Sequence, residues 1–222
     1  GPMDLVEETA LGYGIQNLEP MLSPSQTIGE MNPISLELKS LGQIMIGLGY
    51  LESLNSSLTS KRVLYDMVNR NSKNIISVLD SKSQEHTILR DSILPGLLEN
   101  LSKNIHESYP QKMFETGTVF TLDNPISEKI NFSCISVHQD ANFTEIKSIL
   151  QSALKTGFDI KIDTKTTAHS TFEQGRCATV IVNNEDVGVI GEINSKIIDD
   201  YKIRVPVVGF EISLSDSILK SF

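Results

Sequence analysis

Apolar and acidic residues share helical spacing over positions 4–11 before Gly12-Tyr13-Gly14 breaks the pattern, which predicts a short helix. From 15 to 32, Pro20 and Pro24 with Ser23, Ser25 and Gly29 deny regular structure and predict an extended strap. Pro33 suits a first helical turn. Leu36, Leu41, Ile44, Met45 and Leu48 then recur on one face, predicting a long amphipathic helix closed by Gly47 and Gly49. Residues 50–58 alternate apolar and polar, Thr59 or Ser60 is placed to cap a helix reaching Met67, and 75–79 has the character of a short strand. After Arg90 an irregular turn leads into a helix running to about Glu107 and ending before Pro110.

The second half reads mostly as strands. Residues 112–122, interrupted at Gly117, and 130–137 predict an antiparallel pair. Asn142, with Glu145 three residues on, predicts the capped start of a helix over 143–155 that stops at Gly157. Strands are predicted at 158–162, 177–182 and 187–193, the last two joined by a hairpin at 183–186. A short helix over 194–201 and a strand over 206–214 complete the chain. Strands joined by hairpins, without regular βαβ alternation, indicate an α+β fold with an antiparallel sheet. There is no internal repeat.

At 222 residues and 39% hydrophobic content, the chain is long enough for one substantial core. A net charge of −9 argues against a broad nucleic-acid surface, so any RNA contact is local or absent. No run approaches the roughly 20 apolar residues that span a bilayer, and no signal pattern opens the chain, which predicts a cytoplasmic protein. Gly1-Pro2 reads as the scar of tag removal, and a start inside a helical pattern reads as a cut from a larger protein. Cys134 and Cys177 sit in apolar runs and read as buried thiols. His86, His106, His138 and His169 lack a second ligand at helical spacing and read as surface or structural residues. Arg90 and Asp91 are expected to fix a turn through an ion pair or capping bond. Arg176 has two readings, a structural one and a contact with a partner or RNA phosphate.

Four runs carry a resemblance. They are Asp4-Leu5-Val6-Glu7-Glu8 with Tyr13-Gly14; Leu89-Arg90-Asp91-Ser92-Ile93-Leu94-Pro95-Gly96-Leu97-Leu98; Met113-Phe114-Glu115-Thr116-Gly117; and Gly191-Glu192-Ile193-Asn194 through Pro206-Val207-Val208-Gly209-Phe210-Glu211-Ile212. In this order the chain resembles the C-terminal part of phenylalanyl-tRNA synthetase β chains of the archaeal or eukaryotic layout. The resemblance implies a class II aminoacyl-tRNA synthetase-like antiparallel sheet flanked by helices. It divides the chain into 1–32, comprising the scar, the end of a preceding B5-like domain helix and a linker, and 33–222, a catalytic-like domain. It also implies an α subunit partner in an α2β2 heterotetramer, with tRNA(Phe) as substrate of the whole, and no DNA or membrane partner. In class II enzymes an Arg two residues before a Glu on the second signature strand holds the ATP α-phosphate, since a planar cation matches phosphate oxygens bidentately. Here Glu115 is present but Met113 stands where that Arg would be. The third signature ends in an Arg, yet 207–214 contains none, and the chain's five arginines (Arg62, Arg70, Arg90, Arg176, Arg204) do not supply that pattern. No catalytic or nucleotide-binding residue is therefore assigned. The expectation is a non-catalytic scaffold within an enzyme that is active only as the holoenzyme. The family's editing region is not recognisable, so proofreading is not expected.

Asp4, Glu7 and Glu8 stand at i, i+3 and i+4, one face of a helix. Such carboxylates either complement the helix dipole and stay solvated or, with further oxygen ligands, hold Mg²⁺. The resemblance implies a magnesium shared with the α subunit through this run, with a further upstream Asp outside this sequence, and hence an empty or weakly filled site in the chain alone. The competing functional reading is a free-standing paralogue that binds a small amino-acid-like ligand.

Overall fold

The computed structural model describes residues 1–22, 24, 28–72, 74–81, 83–214 and 218–219, so Ser23 and Ser25 of the predicted strap lie outside the described residues. Contacts divide the chain into Gly1–Met31 and Asn32–Phe222. The first unit holds helix α1 (Pro2–Tyr13) and one turn of 3-10 helix (Ile15–Asn17). Pro2 takes a first-turn position where a missing N–H costs nothing, and Gly14, at φ 93°, turns the chain away while its N–H returns to Ala10 and Leu11. The helix is longer at both ends than the apolar spacing indicates, because these caps and not the apolar face set its limits.

In the second unit the elements follow as α2 (Pro33–Gly47), β1 (Leu51–Glu52), β2 (Leu58–Thr59), α3 (Lys61–Leu64), β3 (Ile88–Leu89), α4 (Leu94–Lys103), β4 (Gln111–Thr121), β5 (Ser127–Val137), α5 (Phe143–Phe158), β6 (Asp163–Thr166), β7 (Phe172–Val182), β8 (Glu185–Ile193), α6 (Ser195–Asp200) and β9 (Val207–Ser213). Among the described residues, seven strands form one sheet in the order β1-β4-β5-β9-β8-β7-β6, while β2 and β3 pair separately. Neighbours are antiparallel except for the two-residue edge strand β1, which runs parallel to β4.

Alternation along the strands divides the sheet into two buried faces. Phe114, Phe132, Val180, Ile190 and Phe210 pack with Leu41 and Met45 of α2 and Ile146, Leu150 and Leu154 of α5. The other face presents Ile135, Val137, Phe172, Cys177 and Ile193 to Leu94, Leu97, Leu98 and Leu101 of α4 and Ile197 of α6. Each of those four leucines is buried, contributing roughly 1.5–3 kcal/mol toward holding α4 on the sheet.

Several elements depart from their predicted limits for identifiable reasons. Helix α5 passes through Gly157 to Phe158, because Asp159 at φ 58° supplies the left-handed residue at its end, with Asp159 N–H on Lys155 O and Ile160 N–H on Leu154 O. Gly157 instead gives clearance, since a Cβ there would lie 3.3 Å from Ile44 Cδ1 of α2. The strand expected at 158–162 thus begins only at Asp163. The run at 75–79 forms a single bridge, Ser77 with Ile88. The helix capped by Ser60 is one turn, followed by a 3-10 turn at Asp66–Val68. Helix α4 ends at Lys103 rather than at 107. The hairpin between β7 and β8 narrows to Asn183-Asn184, whose φ values of 50° and 67° give the mirror-image turn that matches strand twist.

Candidate functional site on the helix-covered face

Cross-strand register sets Glu115 beside Ser133 and Ser133 beside Glu211, a polar row across β4, β5 and β9. The next row on this face is Met113, Ile135, Gly209 and Gly191. Both rows lie on the side that α4 covers.

Glu115 is fully buried. Its Oε1 accepts from Arg90 Nη1 at 2.5 Å and from the Asn55 N–H at 3.3 Å, while Oε2 accepts from Asn55 Nδ2 at 2.6 Å. Arg90 is itself 5% exposed and also donates from Nε to the Thr118 carbonyl at 3.0 Å. A Cβ at Gly117 would collide with Arg90 Nη2, so this glycine is clearance for a guanidinium in a strand that continues without interruption. A buried charge is tolerable only when paired and hydrogen-bonded, and both conditions are met inside this chain.

Glu211, 8% exposed, is satisfied differently. Oε1 accepts from the Ile93 N–H at 2.9 Å and Asn131 Nδ2 at 2.6 Å, and Oε2 accepts from the Leu94 N–H at 2.9 Å and Ser92 Oγ at 2.6 Å. The residue before α4 is Ile93, which has no side-chain acceptor to offer its own helix. A carboxylate reaching over from β9 takes the orphan N–H groups and faces the positive end of the helix dipole. Gly209, two residues earlier, leaves room for the helix, as a Cβ there would lie 2.8 Å from Cys134 O and 3.3 Å from Leu94 Cδ1.

The charged side chains within these two rows are carboxylates. Met113 is half-buried against the α4 and α6 cluster, β9 holds no arginine, and Arg90 is committed to Glu115. Beside it, Arg70 grips Asp91 through two bonds of 2.9 and 3.1 Å, and Tyr65 Oη donates to Asp91 Oδ2 at 3.0 Å. Burial, with Asp91 alongside, pushes the Tyr65 phenol up to about 12. Of the two roles expected for Arg90 and Asp91, an ion pair or a capping bond, each makes an ion pair, with Glu115 and Arg70 respectively.

The acidic run lies elsewhere. Asp4, Glu7 and Glu8 are all exposed on α1, and Asp4 accepts from the N-terminal amine. Their oxygens are the right donor type for Mg²⁺. Among the described residues no three His, Cys, Asp or Glu side chains come together as a group that could hold a metal. His138 Nε2 meets Glu145 at 2.8 Å, and His169 Nδ1 accepts from the Thr171 N–H at 3.3 Å. Burial and the nearby Arg70 charge lower the His169 pKa. Both thiols are buried and held protonated by desolvation, Cys177 at about 11 and Cys134 also pushed up. Arg176 pairs with Glu192 at 2.6 Å.

The family model for the phenylalanyl tRNA synthetase beta chain CLM domain matches residues 19–214. The chain belongs to the phenylalanyl-tRNA synthetase β-chain family. It is 35% identical over 216 residues to the phenylalanine–tRNA ligase beta subunit of Archaeoglobus fulgidus, covering 96% of this chain and 39% of that protein. The corresponding subunit of Methanosarcina acetivorans is 37% identical over 218 residues, with 98% and 39% covered. The subunit of Methanocaldococcus jannaschii is 34% identical over 218 residues, with 96% and 40% covered. The chain thus spans about two-fifths of the length of the curated relatives it matches. Among solved structures, a pyrrolysyl tRNA synthetase from Desulfitobacterium hafniense superposes with a TM-score of 0.66 at 14% identity, covering 82% of this chain and 66% of that one. The fold of this β-chain domain is accordingly the α+β, class II synthetase-like sheet flanked by helices. Sequence reading assigned no role to Asn55 or Glu211. The available signal was an acidic residue in the otherwise apolar stretch Val207–Ser213.

Proposed function

We propose that this chain is the catalytic-like but non-catalytic domain of a phenylalanine–tRNA ligase β subunit. It supports the α subunit in a cytoplasmic α2β2 enzyme that attaches phenylalanine to tRNA(Phe) at the expense of ATP. The observation that carries this reading is the state of the sheet face that bears Met113 and Glu115. Helix α4 lies over it, Glu115 is neutralised by Arg90, and Glu211 is saturated by four donors from the chain itself. Transition-state charge on a transferring adenylate needs preorganised cationic groups, and a thioether provides none. The cavity left beside Glu211 is about 250 Å³, below the roughly 300–1,000 Å³ of sites that enclose small ligands, which disfavours a small-ligand site on this face.

The α subunit is expected on the surface formed by α2 and the edge strand β1, where Leu36, Ile46, Leu51 and Leu54 are exposed. Co-expression of the α subunit with the whole β chain tests this. Co-elution on size exclusion, weakened by Leu51→Asp with Leu54→Asp, is expected, and separate elution of the wild-type chains would remove the scaffold reading. ATP–pyrophosphate exchange dependent on phenylalanine is expected from the assembly and absent from this chain alone.

In the assembled enzyme, Asp4, Glu7 and Glu8 supply part of a magnesium shell completed by other ligands. Calorimetric titration of the chain alone with Mg²⁺ is expected to show no micromolar binding, and saturable micromolar binding would contradict that division of ligands.

A further inference from the structure

Away from the covered face, a cavity of about 520 Å³ opens between the segment after α4 and the turn after α6, lined by Ile105, His106, Tyr109, Asp199, Lys202 and Arg204, with Ile203 at its wall. Three observations single it out. First, Lys202 and Arg204 are exposed, and among the described residues neither side chain nor that of His106 forms an ion pair or hydrogen bond. Arg176, by contrast, is neutralised by Glu192, and Arg70 and Arg90 are tied to Asp91 and Glu115. In a chain of net charge −9, this cavity holds two permanent cations against one carboxylate, Asp199, while Arg204 also borders a neighbouring cavity lined by Glu173 and by Glu192, which Arg176 neutralises.

Second, Lys202 sits at φ 58° in the turn that ends α6, where its N–H returns to Asp199 O and the Ile203 N–H to Ile198 O. Glycine or asparagine is the ordinary occupant of such a position. Every other non-glycine residue with positive φ among the described residues is Asn or Asp. A lysine in that backbone conformation is less stable than glycine would be, so backbone preference does not account for the residue. Third, Tyr109 brings an aromatic ring to the same cavity, the combination of cations and a π-face by which proteins hold nucleic-acid strands without reading sequence.

We propose that this cavity is a local contact for the backbone of an unpaired RNA segment, with Lys202 and Arg204 on phosphates and Tyr109 against a base. The inference rests on the β-chain reading above, which supplies an RNA substrate, and it adds where this domain touches that substrate.

The test uses the assembled α and full-length β enzyme, with tRNA(Phe) binding measured by fluorescence anisotropy across a salt series. The variants are Lys202→Gly, Arg204→Gln and the two combined. Lys202→Gly relieves the positive-φ backbone, so its thermal stability should equal or exceed that of wild type while its RNA affinity falls, which separates charge loss from unfolding. The slope of log K against log salt should drop by about 0.7 for each single-strand phosphate contact removed, hence by about 1.4 in the double variant. The loss should be similar for unrelated tRNAs, because phosphate contacts carry no sequence information. An unchanged slope and affinity in the double variant would overturn the proposal. So would AMP binding that the double variant abolishes while tRNA affinity stays intact, since the cavity would then serve a free nucleotide. A wild-type assembly with no affinity for tRNA would sink the β-chain function itself, a failure distinct from that of the cavity.

Discussion

Replacing Glu211 by Gln isolates the bond that seats α4 on the sheet. The substitution preserves shape and removes one acceptor oxygen. The new amide can keep its carbonyl toward the Ile93 N–H and Asn131 Nδ2 and turn its NH₂ toward Ser92 and Leu94, in place of the present Oε2. Ser92 can rotate its hydroxyl and accept. The Leu94 backbone N–H has no such freedom and is left facing a donor. In the opposite orientation Asn131 can turn its unpartnered Oδ1 toward the new NH₂, and the Ile93 N–H is then the group left facing a donor. One buried unsatisfied N–H costs about 1–3 kcal/mol, and loss of the charge at the helix N-terminus adds about 0.3–1 kcal/mol. A destabilisation of about 2–3 kcal/mol follows, which for a chain of this length is a fall in Tm of roughly 4–12 °C. Glu211→Leu leaves all four donors unmet and should cost more. Urea unfolding monitored by circular dichroism reads both variants. If Glu211→Gln shifts stability by under about 0.5 kcal/mol, within the range of an ordinary surface change, the capping account of this carboxylate is wrong.

Gly117→Ala should displace Arg90 from Glu115 and cost about 3–5 kcal/mol, the range for breaking a buried ion pair, with Arg90→Met at Gly117→Ala recovering part of it in a double-mutant cycle. Cys134 and Cys177 should resist Ellman's reagent at pH 8 in the native protein, because burial holds both thiols protonated, and should react at once in denaturant; fast native labelling would contradict the burial. His169, whose folded pKa is lowered, favours the neutral ring in the fold, so its contribution is complete above the unfolded value near 6.5 and is lost as pH falls below it. Wild type should therefore lose stability between pH 7 and 5 slightly faster than His169→Gln, read as the difference in urea midpoints.

Elements whose limits depend on local chemistry are legible in the sequence, and those whose limits depend on a distant partner are not. Asn142 and Glu145 predict the start of α5, and the structure places the Asn142 side chain on the Glu145 N–H. Pro33 predicts the start of α2 just as directly. The end of α5 is not legible in this way, because a glycine is the common stop signal, whereas Gly157 is needed for approach of α2 and Asp159 performs the turn. The same ambiguity holds at Gly117, where a glycine that reads as a break in a strand is space for Arg90. In both places what the sequence omits is the neighbour, 113 residues away in one case and 27 in the other, brought close only by the finished fold.

The covered face shows why missing arginines are easier to read than the contacts made in their place. Met113 and an arginine-free 207–214 are absences visible by inspection. The replacement requires Glu211 and Ile93, separated by 118 positions, to meet as acceptor and donor, and no spacing rule connects them. Still, physics constrains the outcome. A carboxylate inside a sheet must be matched by cations or by several N–H and O–H donors. The chain offers an arginine to Glu115 and a helix N-terminus to Glu211. Both carboxylates thereby serve cohesion within the chain. Restoring Arg at position 113 alone should accordingly produce no phosphate binding, because α4 would still cover the sheet and Glu115 would still be held by Arg90. Measurable ATP affinity in Met113→Arg would show that the covering helix is looser than its buried leucines and capped N-terminus imply.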